Sequence, residues 1–235
     1  MRISEIYASL QGEGRYAGTP SGFVRTSGCN LRCVWCDTPF TSWEPEGAER
    51  SVDEVLAAVT ALGPRHAVIT GGEPLLLPDV PDLCRRLRAA GWHVTIETAG
   101  SLLPAADPAA IADFLSISPK LASSTPPAAT AGAWAARHEA ARRRDDVLVA
   151  LMRAPHQLKF VIGGPADLDE ACGWLDDLAR AGAAVDPEAV FLMPEGRDSA
   201  RLAAAAAWLE PEARRHGFQF APRHHIAWFG HTRGT

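Results

Sequence analysis

Two hydrophobic periods alternate from residue 66 to residue 221, and this alternation restricts the fold more than any other feature of the chain. Short apolar runs at residues 66–70, 92–97, 114–118, 158–162, 190–193 and 218–221 read as strands. Helical stretches lie between them. Val80, Leu83, Leu87 and Ala90 form one face, stopped by Gly91, and residues 109–113, 128–153, 167–180 and 199–216 supply the rest. Pro211 reads as the start of a second helix within the last of these. Upstream, residues 3–7 and 23–27 are two more strand candidates. Ser51 and Glu54 form a capping box ahead of Val52, Val55, Leu56, Val59 and Leu62, a helix that Gly63 ends. Strands alternating with helices imply right-handed crossovers and a mainly parallel sheet, hence an α/β fold. A length of 235 residues suits one domain, residues 1–235.

Polar residues cluster where the strands end. Thr70-Gly-Gly-Glu-Pro74, Glu97-Thr-Ala-Gly100, Ser118-Pro-Lys120, Met193-Pro-Glu-Gly196 and Pro222-Arg-His-His225 each follow a strand. In parallel α/β folds these carboxyl ends converge on one face, where ligands lie. Gly71 and Gly72 let backbone approach a ligand or take positive φ, and Glu73 adds an acceptor beside them. Lys159 sits among apolar strand neighbours, where an unpaired ammonium is costly, so it must reach a carboxylate: Glu195, a substrate or another acid. Arg25, in a similar setting, calls for a bidentate partner, either a substrate carboxylate or Glu13.

The chemistry centres on Cys29-Asn-Leu-Arg-Cys33-Val-Trp-Cys36, followed at once by Asp37 and Thr38. Four thiolate or imidazole ligands would make a closed zinc site. Three leave a metal centre with an open position. Zinc completed by a distant ligand (His224, His225, Cys84 or Cys172) stays open as a reading, whereas a Cys33–Cys36 redox pair would leave Cys29 unexplained. Five cysteines, an odd number, do not form a disulfide framework and point to a reducing compartment. Asp37 and Thr38 offer hard oxygen ligands, and magnesium needs few of these from protein.

The net charge of −5 gives no general attraction to nucleic acid or anionic membrane, and the amino-terminal residues contain no signal-like or membrane-spanning stretch. A cytoplasmic location is the expectation. Cys84 and Cys172 read as packing residues, and the run from Arg142 to Asp146 as a solvated charged face. His66, His93, His138, His156 and His216 show no partner spacing.

The three-then-two cysteine spacing resembles the cluster motif of the radical S-adenosylmethionine (SAM) enzymes. In that superfamily Cys29, Cys33 and Cys36 would hold a [4Fe–4S] cluster whose open iron is chelated by SAM, the source of a 5′-deoxyadenosyl radical. With residues 5–14, Phe23-Val-Arg25, Ser118-Pro-Lys120, Leu158-Lys-Phe-Val161 and the ending Pro222-Arg-His-His225 with Arg233-Gly234, the resemblance narrows to the 7-carboxy-7-deazaguanine synthases. It is weakest over residues 123–154. It implies a compact, incomplete TIM-like (β/α) barrel, a homodimer, and conversion of 6-carboxy-5,6,7,8-tetrahydropterin to 7-carboxy-7-deazaguanine with loss of ammonia. An electron donor such as flavodoxin or ferredoxin is implied as well.

By position, Trp35, Cys36, Asp37, Gly72, Glu73, Glu97, Ser118 and Lys120 would serve SAM. Leu10, Gln11, Gly12, Glu13, Arg25, Thr70 and His225 would meet the pterin, and Thr38 would ligate magnesium. Some members of that family place a terminal carboxylate in the site, a role not extended to Thr235. The tail would instead cover the site or meet a second subunit. A glycyl-radical-enzyme activase and a zinc-stabilised binding module are the competing readings.

Overall fold

The computed structural model describes residues 1–235, which form a nine-stranded sheet with helices packed on its outer face. The chain opens with β1 (Arg2–Leu10), β2 (Pro20–Thr26), α1 (Pro39–Ser42) and β3 (Ala48–Glu49). A regular series follows: α2 (Val52–Thr60), β4 (His66–Gly71), α3 (Val80–Ala89), β5 (His93–Thr98), α4 (Pro108–Ile111) and β6 (Phe114–Ile117). After β6 come α5 (Ala128–Ala131), α6 (Ala133–Arg142), α7 (Asp145–Leu151), β7 (His156–Ile162) and α8 (Pro165–Arg180). The chain finishes with β8 (Val190–Pro194), α9 (Ser199–Arg215), β9 (Gln219–Phe220) and α10 (His224–Phe229).

The strand order is β3-β1-β2-β4-β5-β6-β7-β8-β9. The pairs from β2 onward are parallel, while β1 runs antiparallel to β2 and to β3. β3 and β9 stay at opposite edges, so the barrel is incomplete, as the family resemblance implies.

Period-two alternation sorts each strand into two faces. Val24, Ile69, Ile96, Leu115, Leu158, Phe160 and Leu192 point outward into one apolar core under the helices. Their neighbours Arg25, Thr70, Glu97, Ser116 and Lys159 therefore point inward. Register aligns them, Arg25 opposite Thr70 and Glu97 opposite Ser116, so a polar belt forms inside the open barrel. The capping box at α2 is present, with the Ser51 amide donating to Glu54 at 2.7 Å and the Glu54 amide donating to Ser51 at 3.2 Å.

The structure corrects three expectations. Residues 128–153 are three short helices rather than one. Gly132, at φ +54°, interrupts the first two, and Arg143 and Arg144 are non-helical while Arg143 reaches Asp177. Arg142 is buried rather than solvated, bonded to Glu139, to Glu170 at 2.9 Å and to the Lys120 carbonyl at 3.2 Å. Pro211 starts no new helix, because α9 runs through it. Leu209 and Ala213 are fully buried on either side, and that packing outweighs the backbone bond that proline cannot make.

Candidate active site

The inner belt walls a cavity of about 320 Å³ at the carboxyl ends of the parallel strands. Every site residue expected from the sequence lines it except Glu73. Cys29, Cys33 and Cys36 are free and share this wall. Burial pushes the Cys29 and Cys33 thiols up to about 12, so without a cation they stay protonated. No three His, Cys, Asp or Glu side chains converge tightly enough to hold a single metal ion. Three thiols sharing the wall of an open cavity fit an iron–sulfur cluster that keeps one iron free of protein ligands.

The glycine pair after β4 is dictated by close approach. A Cβ on Gly71, at φ +135°, would stand 2.2 Å from the Thr26 carbonyl oxygen, and one on Gly72 would stand 2.1 Å from that of Gly28. The next residue departs from expectation. The Glu73 side chain is fully buried and its carboxylate accepts from the Leu75 amide at 3.0 Å, the Ala99 amide at 2.8 Å and the Thr98 hydroxyl. It braces the turn after β5 and has no face toward the cavity. Burial raises its pKa, which those hydrogen bonds partly offset.

Glu97 lies among residues expected on the substrate side. It accepts from Gln11 Nε2 at 2.9 Å and from Thr70 Oγ1 at 2.8 Å. Lys120 folds onto the end of its own strand, donating to the Ser118 carbonyl at 2.7 Å and hydroxyl at 2.8 Å, with its ammonium 5.9 Å from the Trp35 ring centroid. Trp35 packs against the cluster of Val161, Phe191, Met193 and Ala221. Thr38 precedes α1, and its hydroxyl accepts from Thr41 Oγ1 at 3.2 Å.

Lys159 does reach a carboxylate, and that carboxylate is Glu13. Glu13 also accepts from Arg223 Nε at 3.2 Å. Burial alone would raise the Glu13 pKa, but Lys159 and Arg223 outweigh it and hold the carboxyl well below the usual carboxylate range. Arg223 donates further to Asp37 and, at 2.7 Å, to the Gly196 carbonyl. Its guanidinium lowers the Asp37 pKa below the ordinary carboxylate value. His225 Nδ1 lies 3.7 Å from Glu13, and burial lowers its pKa, favouring neutral imidazole. Gly12 is required beside it, since a Cβ there would meet His225 Nδ1 at 2.5 Å.

Arg25 takes a different partner from the Glu13 expected as its structural acid. Its Nε donates to Glu5 at 2.7 Å and its Nη2 to the Tyr7 hydroxyl at 2.5 Å, across the β1–β2 register. Arg223 is a further site residue, and its signal in the sequence was its place in the polar cluster Pro222-Arg-His-His225 that follows the closing strand. The tail covers the site: residues 230–235 line the cavity, and Arg233 Nε donates to Glu5 at 2.6 Å while its guanidinium lies 3.9 Å from the Phe40 ring centroid.

Known proteins share this arrangement of sequence and fold. The model of the radical SAM superfamily matches residues 23–143. The chain is 44% identical to a 7-carboxy-7-deazaguanine synthase of Rhodopirellula baltica, over 99% of this chain and 88% of the relative. It is 46% identical to one of Halobacterium salinarum, over 96% and 89%. Its fold is similar to the crystal structure of QueE from Escherichia coli, with a TM-score of 0.67 at 24% identity over 95% of this chain and 94% of that one.

Proposed function

The chain belongs to the 7-carboxy-7-deazaguanine synthases of the radical SAM superfamily, and from that premise we propose how its cavity serves the reaction. The enzyme contracts the ring of 6-carboxy-5,6,7,8-tetrahydropterin to 7-carboxy-7-deazaguanine with loss of ammonia, a step of queuosine biosynthesis. Its cofactors are a [4Fe–4S] cluster, SAM and magnesium. When bound, the cluster and SAM supply the one-electron chemistry that abstracts a substrate hydrogen.

The protein's share is orientation and electrostatics. Cys29, Cys33 and Cys36 would hold the cluster. Trp35, Gly72, Ser118 and Lys120 would border SAM, and Thr38 would give magnesium one hydroxyl ligand. Arg25, already anchored by Glu5, would present its remaining donors to the pterin carboxylate. Gln11, Thr70 and Glu97 form one hydrogen-bonded chain suited to the edge of a fused heterocycle, and we place Glu97 with them rather than with SAM. Glu13 would accept from the pterin while Lys159 and Arg223 keep it ionised, with Leu10, Gly12 and His225 closing that end. Asp37, held by Arg223, would stand between the two ligands.

The observation that carries this reading is the meeting of three thiols and this polar chain on one cavity. No helix is long and apolar enough to cross a membrane. We further propose that a flavodoxin- or ferredoxin-type protein donates the electron and that two copies pair. The exposed Trp228 and Phe229 of α10 support the pairing. The test is an anaerobic assay of the reconstituted chain with SAM, reductant, magnesium and the tetrahydropterin, read by mass spectrometry. Formation of 7-carboxy-7-deazaguanine without stoichiometric SAM loss is the expected result. 5′-Deoxyadenosine alone would reject the substrate.

A further inference from the structure

The cysteine loop is held by a segment distant in sequence. His138 is fully buried, and its Nδ1 accepts from the Arg32 backbone amide at 3.0 Å. Its Nε2 lies 2.9 Å from Ser124 Oγ, whose proton is already given to the Leu121 carbonyl at 2.6 Å. Only one tautomer satisfies all three contacts: Nε2 carries the proton and Nδ1 is the acceptor. The Ser124 carbonyl accepts in turn from the Val34 amide at 2.9 Å. The two backbone amides flanking Cys33 are therefore both taken by residues 124 and 138.

The remaining backbone is restrained too. Trp43 Nε1 donates to the Cys33 carbonyl at 3.0 Å, and Arg32 Nη1 donates to the carbonyls of Cys29 and Leu31, each at 2.8 Å. The Trp134 ring, from the same helix as His138, covers the Arg32 guanidinium with 3.9 Å between guanidinium carbon and ring centroid.

We propose that His138 is a positioning residue for the cluster: it fixes the backbone around Cys33 so that the three thiols are in place before iron and sulfide arrive. A rigid inorganic group dictates where its sulfur ligands stand, and a loop already ordered pays less entropy to meet it. This gives residues 121–138 a role in holding the cofactor loop. The inference rests on the reading of the cysteines as cluster ligands.

The test uses the full chain with His138→Phe, which keeps a buried ring without the acceptor, and His138→Asn, which returns an acceptor near the Nδ1 position. Hydrogen exchange of the metal-free protein and the rate at which a chelator strips iron after anaerobic reconstitution are both measured. For His138→Phe, exchange over residues 29–36 and iron loss are each expected to accelerate about tenfold, the effect of one lost buried hydrogen bond, with Asn recovering part of both. Unchanged exchange over residues 29–36, or an increase spread evenly over the chain, overturns the inference. So does an iron-loss rate equal to wild type. If the phenylalanine variant fails to fold, Ser124→Ala, which releases the imidazole from one side, is expected to show the same localised exchange, and its absence counts equally against the inference. Wild-type protein that takes up no iron or sulfide would refute the cluster reading instead, while the exchange data would still judge the clamp.

Discussion

Arg25 and Glu5 face each other across antiparallel strands, with Arg25 Nε donating to Glu5 at 2.7 Å. The guanidinium thus enters the cavity oriented, with Nη1 free to meet an anion. Arg25→Gln removes the charge and leaves Glu5 without its cross-strand partner. Substrate KM is expected to rise about 10- to 100-fold, the worth of one charge-assisted contact. SAM affinity, measured separately by calorimetry, should not move. An unchanged KM would remove Arg25 from the carboxylate site.

Arg223 joins three loops through Glu13, Asp37 and the Gly196 carbonyl. Arg223→Gln leaves Glu13 and Asp37 short of a cation, so kcat/KM is expected to fall about 100-fold or more, with Arg223→Lys recovering only part because it lacks the planar fork. Steady-state kinetics on protein shown to be folded by circular dichroism checks this. Full activity in the glutamine variant would make the cross-link dispensable.

Glu73 predicts a split between stability and binding. Glu73→Gln turns an amide donor toward amides that already donate, costing about 2 kcal/mol, or a Tm about 4–8 °C lower in a chain of this size. The SAM dissociation constant should change little once the protein is folded. A variant of normal Tm that no longer binds SAM would return the carboxylate to the cofactor.

Buried histidines set the acid limb of stability. His66 sits between Ser21 and Thr95, and burial lowers its pKa to about 4. His138 is lowered to about 4 by the same cause. Each stays neutral when folded and takes up a proton near pH 6.5 when unfolded, so the unfolded chain binds more protons between those values. Stability is therefore complete above about pH 6.5 and falls toward pH 4, by on the order of 3 kcal/mol per histidine. Thermal melts across this range should show the decline, and His66→Gln should flatten part of it. A wild-type Tm independent of pH over that window would contradict the neutral state.

Much of this was legible in the residues. The unpaired charge of Lys159 in an apolar strand demanded an acid, and the strand-end polar clusters do share one cavity. The identity of that acid was not legible, since Glu13 lies 146 residues away and only the assembled sheet brings the two together. The pairing of Glu5 with Arg25 was not legible because it depends on the antiparallel register of β1 and β2, whereas every pair from β2 onward is parallel. At Glu73 the sequence shows a carboxylate beside glycines but not which way it turns, and the structure turns it toward the backbone after β5. His138 carried no signal at all. It is a single imidazole in an alanine-rich helix, and its meaning comes from the loop it meets.

Arg233 bonds to Glu5 across 228 residues and Arg223 to Glu13 across 210. These acids leave the ribosome early, and the cations that neutralise them leave late. Until then the inner wall of the barrel carries exposed carboxylates and an unfinished rim, and such distant contacts form slowly. The inner wall of the chamber is therefore neutralised only once cations far away in the sequence have docked, which makes the site one of the slower parts of the fold to assemble.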